Sequence, residues 1–254
     1  MKPCYIDVHC HLEMCKSIGK CVENAVGKNV NLILTQGTDV KTNRKALELS
    51  EKYDEVKACL GIYPMDALKM SDKDIESEIN FIRKNKDKIA AIGEVGIDFK
   101  KDSENHERQK RIFSNFVKLS MEIDKPIIVH SRKAEKECIE ILEKMKAKKV
   151  IMHCFCGKRK LVERIVKNNW YLTIPTSVKN GQQFQDNADL VPINQLFCET
   201  DSPFLHPDKK DNNEPANVVV SYEKIAEIKG MKLNEVMDKI FENYLRLCQD
   251  SLES

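Results

Sequence analysis

The sequence has almost no excess of charge of either sign. Its 254 residues include 42 lysines and arginines and 40 aspartates and glutamates, which gives a formal net charge of +2 at pH 7. A protein that coats duplex DNA without sequence preference usually carries a basic surplus, because its affinity comes from phosphate contacts. The composition therefore disfavours that class, whereas an enzyme that grips one strand end needs only a local positive site.

Long apolar runs are also lacking. No stretch approaches the roughly 20 apolar residues that a membrane-spanning helix needs, and residues 1–3 lead into the first predicted strand with no signal-peptide pattern. With 41% hydrophobic residues, the chain can still bury a full core. We therefore expect a soluble, globular protein of the cytoplasm.

The ten cysteines lack a pairing or metal-ligand pattern. Several lie within apolar runs, and the group of Cys4, Cys10, Cys15 and Cys21 does not match the short spacing of iron–sulfur ligands. The chain is also much longer than the small secreted domains that disulfides stabilise. The sequence therefore predicts reduced thiols.

What the sequence does contain is a regular alternation of apolar runs and helix-like segments. The starts of eight predicted strands lie on average about 27 residues apart, the length of one strand-plus-helix unit with short loops. The strands are 4–8, 31–36, 56–62, 89–94, 126–130, 149–153, 170–174 and 195–199. Between and after them, amphipathic spacing predicts helices at 42–52, 72–85, 104–123, 133–146, 158–168, 216–228 and 233–248.

This alternation predicts an α/β protein. Eight such units in about 250 residues favour a (β/α)8 TIM-type barrel, with a doubly wound open sheet as the alternative. In a barrel the functional groups lie at the carboxyl ends of many strands, whereas an open sheet gathers its ligands at one switch point. Polar residues here follow several strands, so we expect the barrel, with a metal site at the carboxyl ends of its strands.

Two histidines stand at the end of the first strand. In an extended strand, His9 and His11 point to the same face. Two neutral imidazoles that converge in this way suit a divalent metal such as zinc, manganese or iron. Alone, the pattern is weak, because both rings could simply be exposed at a strand end.

Other metal-binding side chains occupy equivalent positions. Four of the six histidines fall at predicted strand ends, and three carboxylates do so as well. A lone histidine is more often a satisfied core residue, but the whole set predicts one shared site. Besides His9 and His11, the set comprises Glu94, His130, His153, Glu199 and Asp201.

Five strings of residues resemble the TatD family of metal-dependent deoxyribonucleases, in the amidohydrolase superfamily. They are DVHCHL at 7–12, GEVGID at 93–98, PIIVHSR at 126–132, HCFCG at 153–157 and ETDSPFL at 199–205. The resemblance covers almost the whole chain and implies a single barrel domain over residues 1–254. It also implies two divalent ions, Mg2+, Mn2+ or Zn2+.

The resemblance implies a role for each of these side chains. One ion would be held by His9, His11 and Asp201. The other would be held by His130 and His153, with Glu94 as a bridging and catalytic carboxylate. Glu199 would assist, contact the substrate or take a third ion.

Independent chemistry supports two further roles. Asp201, beside the metals, can ligate and also accept the proton of an attacking water, although an N-cap role is the structural alternative. Arg132, next to His130, can bind a nonbridging phosphate oxygen in fork geometry, although a surface salt bridge is the alternative.

The expected substrate shell departs from the family pattern at two places. Relatives usually carry Gly-x-His-Pro-His after strand three, where this chain has Tyr63 and Met65 in place of the histidines. Tyr63 can donate a hydrogen bond to phosphate or stack on a base. The arginine that usually precedes the Asn-Glu-Pro string at 213–215 is also missing.

Together these observations predict a metal-dependent phosphodiesterase that acts on single strands or strand ends of DNA as an exonuclease, without an obligatory protein partner. One alternative is a hydrolase of a small ester, amide or lactone, since the fold hosts many reactions. A non-catalytic nucleic-acid or protein-binding barrel is the other, and the complete set of metal ligands argues against it.

Overall fold

Eight parallel strands form the centre of the protein. The computed structural model describes residues 2–249, so Met1 and residues 250–254 of the predicted 1–254 domain lie outside the described part. The strands are β1 (Tyr5–Cys10), β2 (Val30–Gln36), β3 (Val56–Leu60), β4 (Ile89–Asp98), β5 (Ile127–Arg132), β6 (Val150–Met152), β7 (Tyr171–Pro175) and β8 (Leu196–Glu199).

The strands pair in sequence order from β1 to β8, each parallel to the next. Just beyond β8, the Asp201 N–H donates to the His9 carbonyl at 2.9 Å, and the His11 N–H donates to the Ser202 carbonyl at 2.7 Å. These bonds bring the last strand beside the first. The predicted (β/α)8 barrel is confirmed, and the order contains no reversal of the kind that defines a doubly wound sheet.

Ten helices surround the barrel in the described residues. They are α1 (Ile18–Gly27), α2 (Val40–Lys52), α3 (Pro64–Ala67), α4 (Asp72–Lys84), α5 (His106–Glu122), α6 (Glu135–Met145), α7 (Arg159–Lys167), α8 (Gln182–Leu190), α9 (Val219–Lys229) and α10 (Leu233–Gln249). None of them is long and apolar enough to cross a membrane. All seven predicted helices are present, with small shifts of their ends.

The sequence pattern predicted none of α1, α3 and α8. Helix α3 spans only four residues, and α1 and α8 bury few apolar side chains. In α1 only three side chains are buried, Cys21, Val22 and Ala25, and the helix contains two glycines. In α8 the buried positions are Ala188 and the polar Asn187. The Asn187 amide donates to the Phe155 carbonyl at 2.9 Å, so a buried hydrogen bond takes the place of apolar contact.

The strands are apolar on both faces because the barrel interior and the helical layer each cover one of them. The fully buried residues of β1 and β5, such as Ile6, Val8 and Ile128, illustrate this. β4 differs from its prediction, since it continues to Asp98 and pairs with the end of β5, where Gly96 lies opposite His130. This extension places Asp98 of β4 beside His130 of the adjacent strand β5.

We predict that Gly96→Ala strongly destabilises the fold. Gly96 has a φ of +153°, and a Cβ there would lie 1.9 Å from the His130 carbonyl oxygen. The backbone of β5 would have to move, which we expect to cost at least about 3 kcal/mol in the free energy of unfolding. Urea denaturation measures this change.

Gly27→Ala provides the control, because a Cβ at Gly27 meets nothing within 4 Å. It should leave stability unchanged or raise it by up to about 1 kcal/mol, since alanine loses less backbone entropy in a helix. Equal effects of the two substitutions would contradict the close approach of β4 and β5.

Candidate metal centre

His9 lies at the bottom of the candidate site. It is fully buried, its ring stacks on that of His153 with centroids 3.8 Å apart, and its other neighbour is His11 at 5.1 Å. Neither nitrogen of His9 has a hydrogen-bond partner in the described residues. Buried polar atoms are rarely left in this state without a reason, so the pair of nitrogens points to a ligand.

Glu94, from the middle of β4, lies between two groups of imidazoles. Its Oε2 is 3.4 Å from Nε2 of His11 and 3.7 Å from Nε2 of His9. Its Oε1 is 2.8 Å from Nδ1 of His130 and 3.5 Å from Nε2 of His153. Each carboxylate oxygen therefore faces a different pair of histidines, as a bridging ligand requires.

Asp201 follows β8 and lies beside His9 and His11. Its Oδ1 lies 3.4 Å from Nε2 of His9 and 3.5 Å from Nε2 of His11. Unlike His9, it lines the open pocket at the mouth of the barrel, and 16% of its side chain is exposed. Its carboxylate therefore faces both the imidazoles and the solvent side.

The donor atoms form two clusters that suit metal ions. The atoms within each cluster lie no more than 4.8 Å apart, and the clusters are His9, His11, Asp201 and Glu94, His130, His153. Imidazole nitrogens and carboxylate oxygens bind zinc, manganese and their neighbours. No lysine or arginine of the described chain contacts Glu94 or Asp201. The two clusters therefore fit metal cations, which would supply the positive charge that these carboxylates need.

A second layer of carboxylates orients two of the histidines. His130 uses Nδ1 toward Glu94, and its Nε2 lies 3.2 Å from Oδ2 of Asp98. His153 uses Nε2 toward Glu94, and its Nδ1 lies 3.2 Å from Oε2 of Glu199. Such pairs fix the orientation of an imidazole and raise its basicity as a ligand.

Glu199 lies deeper than the sequence suggested. It is fully buried, and besides His153 it accepts a hydrogen bond from the Cys154 N–H at 3.0 Å. Among the described residues that line the pocket, Glu199 is not one, and its two oxygens face His153 and the Cys154 N–H. A third cluster of His9, His153 and Glu199 also has metal-ligand spacing.

The electrostatics of the site couple imidazoles to carboxylates. Burial would raise the pKa of Glu94, but hydrogen bonds with His11, His130 and His153 hold it well below its usual value. Burial likewise would lower the pKa of His11, yet its hydrogen bonds to Asp201 and Glu94 raise it well above the usual value.

The other groups follow the same pattern. Burial opposes the charged form of His153, but Glu199 and Glu94 raise its pKa well above normal. Burial would raise the pKa of Asp201, but the nearby imidazoles of His11 and His9 lower it below its usual value. His9 differs, because burial and the charge of His153 lower its pKa.

The predicted substrate residues lie at the rim. Arg132, the last residue of β5, is exposed and lines the pocket. Its carbonyl accepts a hydrogen bond from the Phe99 N–H at 3.0 Å, but its guanidinium makes no hydrogen bond or ion pair within residues 2–249. The hydroxyl of Tyr63 instead donates to Oδ2 of Asp98 at 2.7 Å. Tyr63 is thus tied to the second layer and is not free to donate to a phosphate.

Sequence reasoning missed three residues of this region. Asp98 holds both His130 and Tyr63, and its only sequence signal was its place at the end of the 93–98 string. Lys101 lines the pocket above the ring of Tyr63, with Nζ 5.1 Å from the ring centroid. Phe204 lines the pocket and is 53% exposed.

The two other histidines lie apart from this cluster. His106 begins α5, where its ring stacks on Phe99 with centroids 3.6 Å apart. In the loop after β8, His206 accepts a hydrogen bond from the Asp208 N–H through Nδ1. The structure therefore brings together the four histidines that the sequence selected.

A parallel barrel that gathers imidazoles and carboxylates at its strand ends is typical of metal-dependent hydrolases, and comparison with known proteins puts the chain in this class. It is similar to an uncharacterized metal-dependent hydrolase of Methanocaldococcus jannaschii, with 37% identity over 242 residues and 94% of each chain covered. Residues 6–249 match the family described as "TatD related DNase". The chain belongs to this family, which confirms the resemblance seen in its motifs.

Two further relatives bear on the comparison. The deoxyribonuclease TATDN3 of Homo sapiens is 32% identical over 256 residues, with 95% of this chain and 93% of the relative covered. The crystal structure of YjjV, a TatD homologue from Escherichia coli K12, has a TM-score of 0.90 at 24% identity, and the match covers 96% of this chain and 98% of that one. The second likeness supports the fold.

We predict that Glu94→Gln lowers metal content. The amide keeps the size of the side chain but removes the negative charge that faces both clusters, so two cations held there would repel each other with less compensation. Elemental analysis and calorimetric titration of the chelator-treated protein measure the change.

Glu135→Gln is the matched control, since Glu135 lines the same pocket without facing these histidines. It should bind as much metal as the unchanged protein. Full metal content in Glu94→Gln would remove Glu94 from the bridging position.

Metal affinity should rise with pH. His11, His130 and His153 have a raised pKa, so in metal-free protein they hold protons above the ordinary imidazole pKa of about 6.5. A metal binds the neutral imidazole and must displace these protons. Calorimetric titrations in two buffers with different ionisation heats should therefore show proton release near pH 7. Binding without proton release would contradict the carboxylate-paired state of these rings.

Proposed function

We propose that this metal-dependent hydrolase cleaves the phosphodiester bonds of DNA, as an exonuclease that attacks the end of a single strand. The observation that carries the proposal is the pair of candidate ligand clusters that Glu94 connects, together with the free guanidinium of Arg132 at the rim of the same pocket. The deoxyribonuclease name of the human relative supports the same substrate class.

The residues fit two divalent ions of the kind expected, Mg2+, Mn2+ or Zn2+. His9, His11 and Asp201 would hold one, His130 and His153 the other, and Glu94 would bind both. When bound, such a pair polarises a phosphoryl oxygen, lowers the pKa of a water and stabilises the leaving oxygen.

Asp201 is the proposed general base. Its pKa is held low by His11 and His9, so the carboxylate is ionised at neutral pH, and its exposure to the pocket allows it to accept a proton from an attacking water. Glu94 acts by holding both halves of the site together. Asp98 and Glu199 keep the rings of His130 and His153 in place, and we assign them positioning roles.

Arg132 and Lys101 are the proposed phosphate-binding groups. Both line the pocket on the side of β4 and β5, and the guanidinium of Arg132 has no competing partner in the described residues. A guanidinium can donate two parallel hydrogen bonds to nonbridging phosphate oxygens. A strand end needs only this local positive charge, which agrees with the nearly neutral chain.

We also propose that residues 1–254 act as one domain in the cytoplasm. The nine cysteines from Cys4 to Cys198 are free thiols in the structure. Proteins of reducing compartments typically keep their cysteines in this form. These thiols therefore support the cytoplasmic location.

A direct assay tests the function. Metal-loaded protein should release nucleotides from end-labelled single-stranded DNA, and a chelator should stop the reaction. Chromogenic carboxyl esters test the alternative, because the apolar residues Met14, Phe204 and Leu205 on the other side of the pocket would also suit an apolar acyl group. Ester cleavage without DNA cleavage would overturn the proposal.

Asp201→Asn should reduce the rate of DNA cleavage by about two to four orders of magnitude, which is the usual contribution of a general base. The measurement uses a saturating metal concentration, because Asp201 is also a proposed ligand. Asp208→Asn is the control, since Asp208 is an exposed partner of Lys179 outside the pocket. Near-normal activity of metal-saturated Asp201→Asn protein would reject Asp201 as the base.

Arg132→Ala should weaken DNA binding to a similar extent for every sequence. One lost phosphate contact releases about one counterion fewer, so the plot of log affinity against log salt should become shallower by about 0.7 for single-stranded DNA. Affinities measured over a salt series, with the Asp201→Asn protein as the background, give this slope.

Lys160→Ala is the control for charge. Lys160 is an exposed cation near the start of α7 and does not line the pocket. Its removal should leave the slope unchanged. If the Arg132→Ala protein has the same slope as the protein with Arg132, the phosphate does not bind at Arg132.

A further inference from the structure

Phe204 is the most exposed of the large hydrophobic side chains in the described residues. Five such side chains are strongly exposed, and Phe204, at 53%, is the only aromatic one. The five are Met14, Val26, Val40, Met121 and Phe204. Two of them, Met14 and Phe204, line the pocket above the candidate metal centre.

The backbone on both sides of Phe204 is fixed. The Phe204 N–H donates to the Asp201 carbonyl at 2.8 Å, and the Thr176 hydroxyl donates to the Leu205 carbonyl at 2.6 Å. On the other side, the Asn213 N–H donates to the Pro203 carbonyl at 3.0 Å. The loop therefore holds the ring out in the pocket, where it remains exposed although its backbone is well bonded.

The ring stands beside the reacting groups. Its centroid is 6.2 Å from that of His11, at an interplanar angle of 69°, and its residue is the third after Asp201 in the chain. Met14, which follows β1, and Leu205 extend the same apolar wall. The wall thus borders the cluster of candidate ligands formed by His9, His11 and Asp201.

The pocket has two chemically different sides. In an eight-stranded barrel that pairs in sequence order, β8 and β1 lie across the mouth from β4 and β5. Phe204 and Met14 follow β8 and β1, whereas Lys101 and Arg132 follow or end β4 and β5. The two clusters of candidate metal ligands lie between an apolar wall and a polar wall that carries Lys101 and Arg132, with Glu135 close by in the chain.

We propose that Phe204 is a stacking platform for the terminal nucleobase of the substrate, opposite the phosphate-binding wall. The inference rests on the proposed action on DNA and assigns the base to the side of β8 and β1. Every base has a π face, so stacking on an aromatic ring holds a strand without reading its sequence. An unpaired base at the end of a single strand is free to stack in this way.

The size of the pocket agrees with this assignment. Its volume is about 630 Å³, within the usual range of small-ligand sites. Such a volume suits a nucleotide or two at a strand end. Tyr63, which the sequence suggested for stacking, packs its ring against His130 with centroids 5.0 Å apart and is tied to Asp98. Phe184 also lines the pocket but is half-buried, so Phe204 is the most exposed aromatic ring there.

The test is a cycle of binding measurements on metal-loaded protein. Its ligands are thymidine 5′-monophosphate and deoxyribose 5-phosphate, in which a hydroxyl group replaces the base. Base stacking contributes about 1–3 kcal/mol, so the nucleotide should bind about 5- to 140-fold more tightly to the unchanged protein. In Phe204→Ala this ratio should fall toward one, while the affinity for deoxyribose 5-phosphate stays the same.

Two variants sharpen the result. Phe204→Trp keeps an aromatic face and should retain the preference for the base. Met121→Ala removes another exposed hydrophobic residue, on α5 and outside the pocket, and should change neither affinity. A preference for the base that is equal in Phe204→Ala and in unchanged protein would overturn the proposal, as would a lack of any preference in unchanged protein.

A parallel DNA cleavage assay separates this proposal from the proposed function. If single-stranded DNA is cleaved but Phe204→Ala does not change the preference for the base, the stacking proposal is overturned and the nuclease proposal stands. Coupling without cleavage of any DNA would support the nucleobase platform and reject the nuclease assignment.

Discussion

The buried carboxylate of Glu94 is the constraint on which the mouth of the barrel depends. An uncompensated carboxylate in such a position costs several kcal/mol, and the surrounding residues must supply the compensation. They do so with four imidazoles within 3.7 Å, two at each oxygen. These imidazoles come from three strands or strand ends, so the parallel register of the barrel must bring distant parts of the chain to one point.

This compensation continues outward in layers. Asp98 backs His130 and Glu199 backs His153, so each of these rings lies between two carboxylates. Within a low-dielectric interior, charges that alternate in this way strengthen one another, and the loss of one leaves its neighbour unpaired. Asp98 also binds Tyr63, so the layer links the candidate metal ligands to the rim of the pocket. A change at the rim can therefore reach the ligands through Asp98.

Much of this could be predicted from the sequence, because a barrel places strand ends at one mouth whatever the helices contain. To predict that the histidines and carboxylates lie together, it was enough to locate the strands in the sequence. The parts that escaped prediction depend on tertiary contact. α8 is held by the buried amide of Asn187, and Asp98 entered β4 only because that strand continues beside β5. Phe204 carried no sequence signal beyond its place in the 199–205 string, since an aromatic residue is ordinarily expected in a core.

Glu199 and Asp201 show why residue type and strand position alone do not assign roles. Side chains two residues apart on a strand share a face but differ in depth by about 6–7 Å. Glu199, within β8, is therefore fully buried beneath His153, whereas Asp201, just past the strand, reaches the pocket. One strand end thus supplies both the proposed supporting carboxylate and the proposed general base. Their difference in role follows from depth along the barrel axis, which determines which of the two meets solvent.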